Sequence, residues 1–169
     1  MAKLVYLILL LLFLLIPVYG STFYLGLDVG ALDSFIADGN RVSFDFGYRF
    51  DEFRISLPVS YSFCLDDDIS ALDAALRVDV YPFKGIDLFF GVDALRYLRF
   101  FGLASPKERN VFLSSISIGY TFSLPYCYIE PRLIAQDPAR MNENETSILD
   151  DHFPFYFDYY AQLLIGVRL

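Results

Sequence analysis

The sequence predicts an all-β fold, an eight-stranded antiparallel up-and-down barrel set in a membrane, and three observations predict it. Apolar and polar residues alternate through eight separate stretches. The apolar phase of most of them is nearly unbroken over a length that suits a bilayer. Apart from the third, the links between them alternate between long and short, as they do when consecutive connections lie at opposite rims of a barrel.

The clearest stretch is Phe53 to Leu65. Phe53, Ile55, Leu57, Val59, Tyr61, Phe63 and Leu65 fall in one phase, and Arg54, Ser56, Pro58, Ser60, Ser62 and Cys64 in the other. A helix would scatter this alternation around its circumference, whereas a strand sends successive side chains to opposite faces. The run also exceeds the usual strand of about five or six residues. About ten residues tilted near 45° cross a bilayer, so the apolar face is expected to look at lipid.

The same theme fills the chain from Ser21 onward. Phe23, Leu25, Leu27 and Val29 alternate with Thr22, Tyr24, Gly26 and Asp28, and Val42 to Phe50 alternates with Arg41, Ser43, Asp45, Gly47 and Arg49. Leu72 to Val80 stands against Asp73, Ala75, Arg77, Asp79 and Tyr81, and Ile86 to Ala94 against Asp87, Phe89, Gly91 and Asp93. Arg96 to Arg109 breaks the pattern and reads as a loop. Val111 to Phe122 alternates again, then Cys127 to Ala135 against Tyr128, Glu130, Arg132 and Ile134. Asp137 to His152 is polar and acidic, hence a loop, and Phe155 to Leu169 closes the chain. Pro58 and Pro131 donate nothing to a ladder, so a bulge or local break is expected at each.

Residues 1–20 read as a signal peptide and 21–169 as the barrel. Lys3 precedes an apolar run from Leu4 to Ile16, and the small residues Val18 and Gly20 lead to a cleavage point before Ser21. The run is shorter than the roughly 20 residues of a spanning helix. With 13 Lys+Arg against 21 Asp+Glu and a net charge of −8, the chain is a poor match for nucleic acid, whose phosphates demand a basic surface. Cys64 and Cys127 have no CxxC spacing, and no cofactor or metal is expected.

The polar phase carries the charge: Asp28, Asp45, Asp73, Asp79, Asp87, Asp93, Glu130 and Asp158 with Arg41, Arg49, Arg54, Arg77, Arg132 and Arg168. Every basic member is Arg, whose planar fork of donors can bridge carboxylates on several strands. An eight-stranded barrel is just wide enough for its own side chains. A structural charge network is therefore expected in the lumen, centred on Asp45, Arg77, Glu130, Arg132 and Asp158, with Arg77 bridging one of the three acids. Catalysis has little to rest on. His152 lies near Ser147 without a nucleophile motif, Asp66-Asp67-Asp68 lacks the spacing of a calcium loop, and Asn144-Glu145-Thr146 matches a glycosylation sequon only formally.

With leader, eight alternating strands, short turns at one rim and an aromatic closing strand, FYFDYYAQLLIGVRL, the chain resembles the small bacterial outer-membrane barrels of the OmpA-domain, OmpX and OmpW type. The resemblance covers the whole chain after residue 20 and rests on pattern. It departs at Leu169, where a terminal Phe is usual. It implies an outer-membrane location, lipid around the wall, and recognition of the closing strand by the barrel-assembly machinery. The function it implies is non-enzymatic, structural or surface-interacting, with loops Ala31 to Gly39, Arg96 to Arg109 and Asp137 to His152 free to meet an extracellular ligand. Two other readings stay open: a narrow channel or pocket for small, apolar solutes, and a soluble lipocalin-like barrel with the apolar face turned inward.

Overall fold

The computed structural model describes residues 22–29, 39–64, 69–102, 110–138 and 159–169. Within them the chain forms β1 (Thr22–Asp28), β2 (Gly39–Phe50), β3 (Phe53–Cys64), β4 (Ser70–Val80) and β5 (Leu88–Phe101). A sixth strand, β6, runs in three pieces, Asn110–Leu113, Ser115–Tyr120 and Phe122–Ser123. β7 (Cys127–Gln136) and β8 (Tyr159–Arg168) complete the set. Each strand pairs antiparallel with the next, and β8 pairs with β7 on one side and β1 on the other. The sheet therefore closes into an eight-stranded up-and-down barrel.

The short links lie at one rim, which also carries both ends of the barrel. Asp51 turns β2 into β3 with φ 47°, a left-handed conformation that a short polar side chain tolerates. Gly85, at φ 80°, serves the turn into β5, where Ile86 N–H donates to the Phe83 carbonyl at 3.1 Å. Leu124 N–H donates to the Cys127 carbonyl at 2.9 Å and closes the β6–β7 turn. Residues 1–20, read as a leader from the sequence, and the segments 30–38, 65–68, 103–109 and 139–158, with Asp66 to Asp68, Asn144, Ser147, His152 and Asp158, lie outside the described residues.

Burial alternates along every strand, and its sense is inverted relative to a soluble protein. Leu57 is 46% exposed, Phe44 44%, Ile165 43% and Leu133 64%, whereas Arg54 is 1% exposed and Asp79 and Glu130 0%. The apolar phase forms the outer wall and the charged phase the interior. This overturns the lipocalin-like alternative, which needs the apolar phase inside. Aromatic pairs mark both ends of the wall: Phe50 with Phe53 at 6.1 Å and Tyr120 with Phe122 at 4.7 Å near the short turns, Tyr61 with Phe63 at 6.1 Å near the loops.

One departure from the sequence reading, and one expectation that holds, have local causes. First, β5 continues to Phe101, so Arg96 to Phe101 is strand and not loop. Leu76 pairs with Leu95 but Arg77 with Asp93, and on the other side Arg96 pairs with Leu113 while Val92 pairs with Ile116. Ala94 is thus an extra residue, a β-bulge that reverses the phase. Before it Phe89, Gly91 and Asp93 point inward, and after it Arg96, Leu98 and Phe100 do. Second, each proline interrupts one ladder without shifting it. The β3–β4 pairing skips from Ser56–Arg77 to Val59–Ala74, and the β6–β7 pairing from Gly119–Arg132 to Phe122–Ile129. Across the other edge, Pro58 stays opposite Asp45 and Pro131 opposite Leu163.

At the closing seam Gly26 of β1 lies opposite Gly166 of β8. A Cβ on Gly26 would collide with the Tyr128 hydroxyl, and one on Gly166 with the Tyr128 ring and with the Leu25 carbonyl oxygen of β1; Tyr128 packs into the notch the two glycines leave. Tyr24 meets that ring edge-on at 5.1 Å and 72°, and Leu164 completes the buried cluster.

Candidate functional site: the charged lumen

The interior is a stack of guanidinium–carboxylate layers, each assembled by strand register. Nearest the short turns, Arg49 of β2 lies over the Tyr81 ring, 3.7 Å from its centroid, and donates to Asp87 at 2.8 Å. Both partners of that pair keep some solvent exposure, 20% and 31% of their side chains.

The next layer crosses the barrel. Arg54 of β3 donates from Nε and Nη2 to Asp79 Oδ2 at 2.9 and 2.7 Å, and from Nη1 and Nη2 to the two oxygens of Glu130 at 2.7 and 2.9 Å. Glu130 also accepts from Thr121 at 2.6 Å and from Arg132 Nε at 2.5 Å. Arg132 then reaches Asp45 on β2 at 2.9 Å. Phe89 lies beneath both guanidiniums, at 5.1 Å from Arg54 and 5.2 Å from Arg132. Side chains from β2, β3, β4, β6 and β7 are joined in this layer with almost no contact with solvent.

Toward the loops, Arg77 grips Asp93 through Nε at 2.6 Å and Nη2 at 3.2 Å, and Ser115 donates to the same carboxylate. Arg96 grips Asp73 at 2.6 to 3.2 Å. Asp28 accepts from Arg41 at 2.9 Å and from Gln162 at 3.1 Å.

Of the residues singled out from the sequence, Asp45, Arg77, Glu130 and Arg132 all lie buried in the lumen. Glu130, Arg132 and Asp45 form one connected set, while Asp158 is outside the described residues. Among the described residues, the expected bridge from Arg77 to Asp45 or Glu130 is not the one formed. Arg77 pairs with Asp93, its direct register partner on the neighbouring strand, and Arg132 takes Asp45 instead. Arg54, the best-connected cation, was legible as inward but not as the hub. Arg96 was missed because the bulge at Ala94 hides its phase.

The arrangement is one of paired buried charges. Each carboxylate is held by guanidinium or hydroxyl donors, and among the described residues no three His, Cys, Asp or Glu side chains are grouped to hold a metal ion. Such a layer gains little over an apolar core, but removing one partner strands a buried charge.

No family model matches the chain, and no curated protein matches it. Among solved structures, the chain is similar to the N-terminal β-barrel domain of Pseudomonas aeruginosa OprF, with a TM-score of 0.58 at 11% identity over 88% of this chain and 97% of that one. Neisserial surface protein A aligns with a TM-score of 0.46 at 10% identity, over 88% of this chain and 94% of its own. The fold is that of the small eight-stranded outer-membrane barrels.

Proposed function

We propose that this chain is an outer-membrane β-barrel protein without catalytic chemistry, structural in the membrane and acting through the loops at the rim opposite the short turns. One observation carries the reading: the apolar side chains stand on the outer wall all around the barrel while the charges are buried within it. Only a hydrocarbon surround makes that distribution stable, because each exposed apolar side chain would cost free energy in water. In this reading residues 1–20 direct export, outer-membrane lipid covers the wall, and the assembly machinery engages β8. An extracellular ligand would meet the long loops. The cross-lumen layer of Arg54, Glu130 and Arg132 fills the bore and speaks against a solute conduit.

The test is extraction and gel migration. The protein is expected in the outer-membrane fraction, soluble only with detergent, and to migrate differently before and after boiling, as a closed barrel does. Recovery as a detergent-independent soluble protein would overturn the reading. Conductance across liposomes carrying the folded protein would favour the conduit instead.

A further inference from the structure

The half of the lumen nearer the loops contains a partly open cavity of about 30 Å³ between β2, β3, β4, β5 and β8. Its walls are unlike those of an apolar void. Arg77, Arg96, Asp73, Asp93, Ser60 and Gln162 line it. Three polar atoms on those walls are buried with no protein partner among the described residues: Arg77 Nη1, Arg96 Nη1 and Gln162 Oε1. Buried polar groups in folded proteins are nearly always satisfied, and a water needs about 10 to 15 Å³ of such space and two to four partners.

Charge selects between the possible small occupants. The three guanidiniums at this level are each already paired, Arg41 with Asp28, Arg77 with Asp93 and Arg96 with Asp73. A bound anion or cation would bring an uncompensated charge into a balanced, buried site. A neutral molecule with both donor and acceptor capacity matches these groups: its oxygen can accept from the guanidinium N–H groups of Arg77 and Arg96, and one of its protons can go to Gln162 Oε1. We propose that this cavity is a built-in binding site for water, a solvent molecule that joins the Arg77–Asp93 pair to the Arg96–Asp73 pair and to Gln162 on β8. The proposal rests on the lumen geometry and stands whether or not the loops bind a surface ligand.

Ala75, opposite Arg96 on the neighbouring strand and itself a cavity-lining residue, offers a test. Ala75→Thr and Ala75→Val add side chains of the same shape that differ in one hydroxyl. If water bridges these groups, Thr can replace it with its own hydroxyl, whereas Val expels it and leaves two guanidinium N–H groups unpaired. The expected result is a urea midpoint for Ala75→Thr near that of the wild type and a clearly lower one for Ala75→Val. A Val variant as stable as the Thr variant, or more so, would overturn the proposal. Should neither variant fold, ordered-solvent density in crystals of the unaltered protein decides. A peak within hydrogen-bond distance of Arg77, Arg96 and Gln162 is expected. An empty cavity, or an anomalous peak there after bromide soaking, would refute a neutral solvent site.

Discussion

At the scale of single residues, Arg54 has the most to lose. Its guanidinium touches Asp79 and Glu130 at once, and all three side chains are within 1% of full burial. Arg54→Met would leave two acids with fewer donors in a low-dielectric interior, at a cost of about 3–5 kcal/mol. Arg49→Met removes a pair at the partly wet rim and should cost about 1 kcal/mol or less. Urea titrations of the folded barrel in lipid or detergent check both, and equal losses would contradict the layering. Arg77→Met should fall with Arg54, because Asp93 then keeps only Ser115 and no guanidinium of its own.

At the scale of elements, the outer wall and the bulge make separate predictions. Leu57, near the middle of β3 and exposed on the apolar face, should lose about 2–4 kcal/mol on substitution by Arg, the cost of placing a cation at the bilayer midplane. The same substitution scored in detergent-free bilayers against inward Ser60→Arg tests which face meets lipid. Deleting Ala94 should remove the bulge without turning any other side chain of β5 to the opposite face. Without the extra residue Asp93, Leu95 and Arg96 alternate plainly and Arg96 keeps its place in the lumen, so the heat-modifiable gel form is expected to survive the deletion, and its loss would contradict the bulge assignment. How far the elements were legible follows from the same physics. Strands such as β2 and β3 announce themselves because their phase never changes. β5 concealed its last third because a one-residue bulge reverses the phase just where Arg96 and Arg99 place charges on both faces. The inward acids of the lumen were readable from parity alone. Their partners were not, since pairing across a barrel depends on shear and register, which alternation does not encode.

At the scale of the whole molecule, the up-and-down order separates the two cysteines. Cys64 ends β3 at the loop rim, opposite Gly39, and Cys127 opens β7 at the turn rim, opposite Val167, where it is a free thiol. A strand crosses an apolar band of roughly 25 Å, whereas a disulfide needs Cα atoms within about 7 Å. Both thiols should therefore take up maleimide in denatured, unreduced protein, and a Cys64–Cys127 cross-linked peptide in mass spectra would upset the strand order. Closure of the cylinder depends on another pair of distant residues. Gly26 and Gly166 belong to the first and last strands, so the notch for Tyr128 exists only once the two ends of the barrel have met. The phenol ring is then a bolt that can slide home only after the door is shut. It rewards the final step of assembly and no earlier one. Gly166→Ala should leave the hairpins able to form yet delay the appearance of the boiling-sensitive compact species, a defect of latching rather than of strand formation.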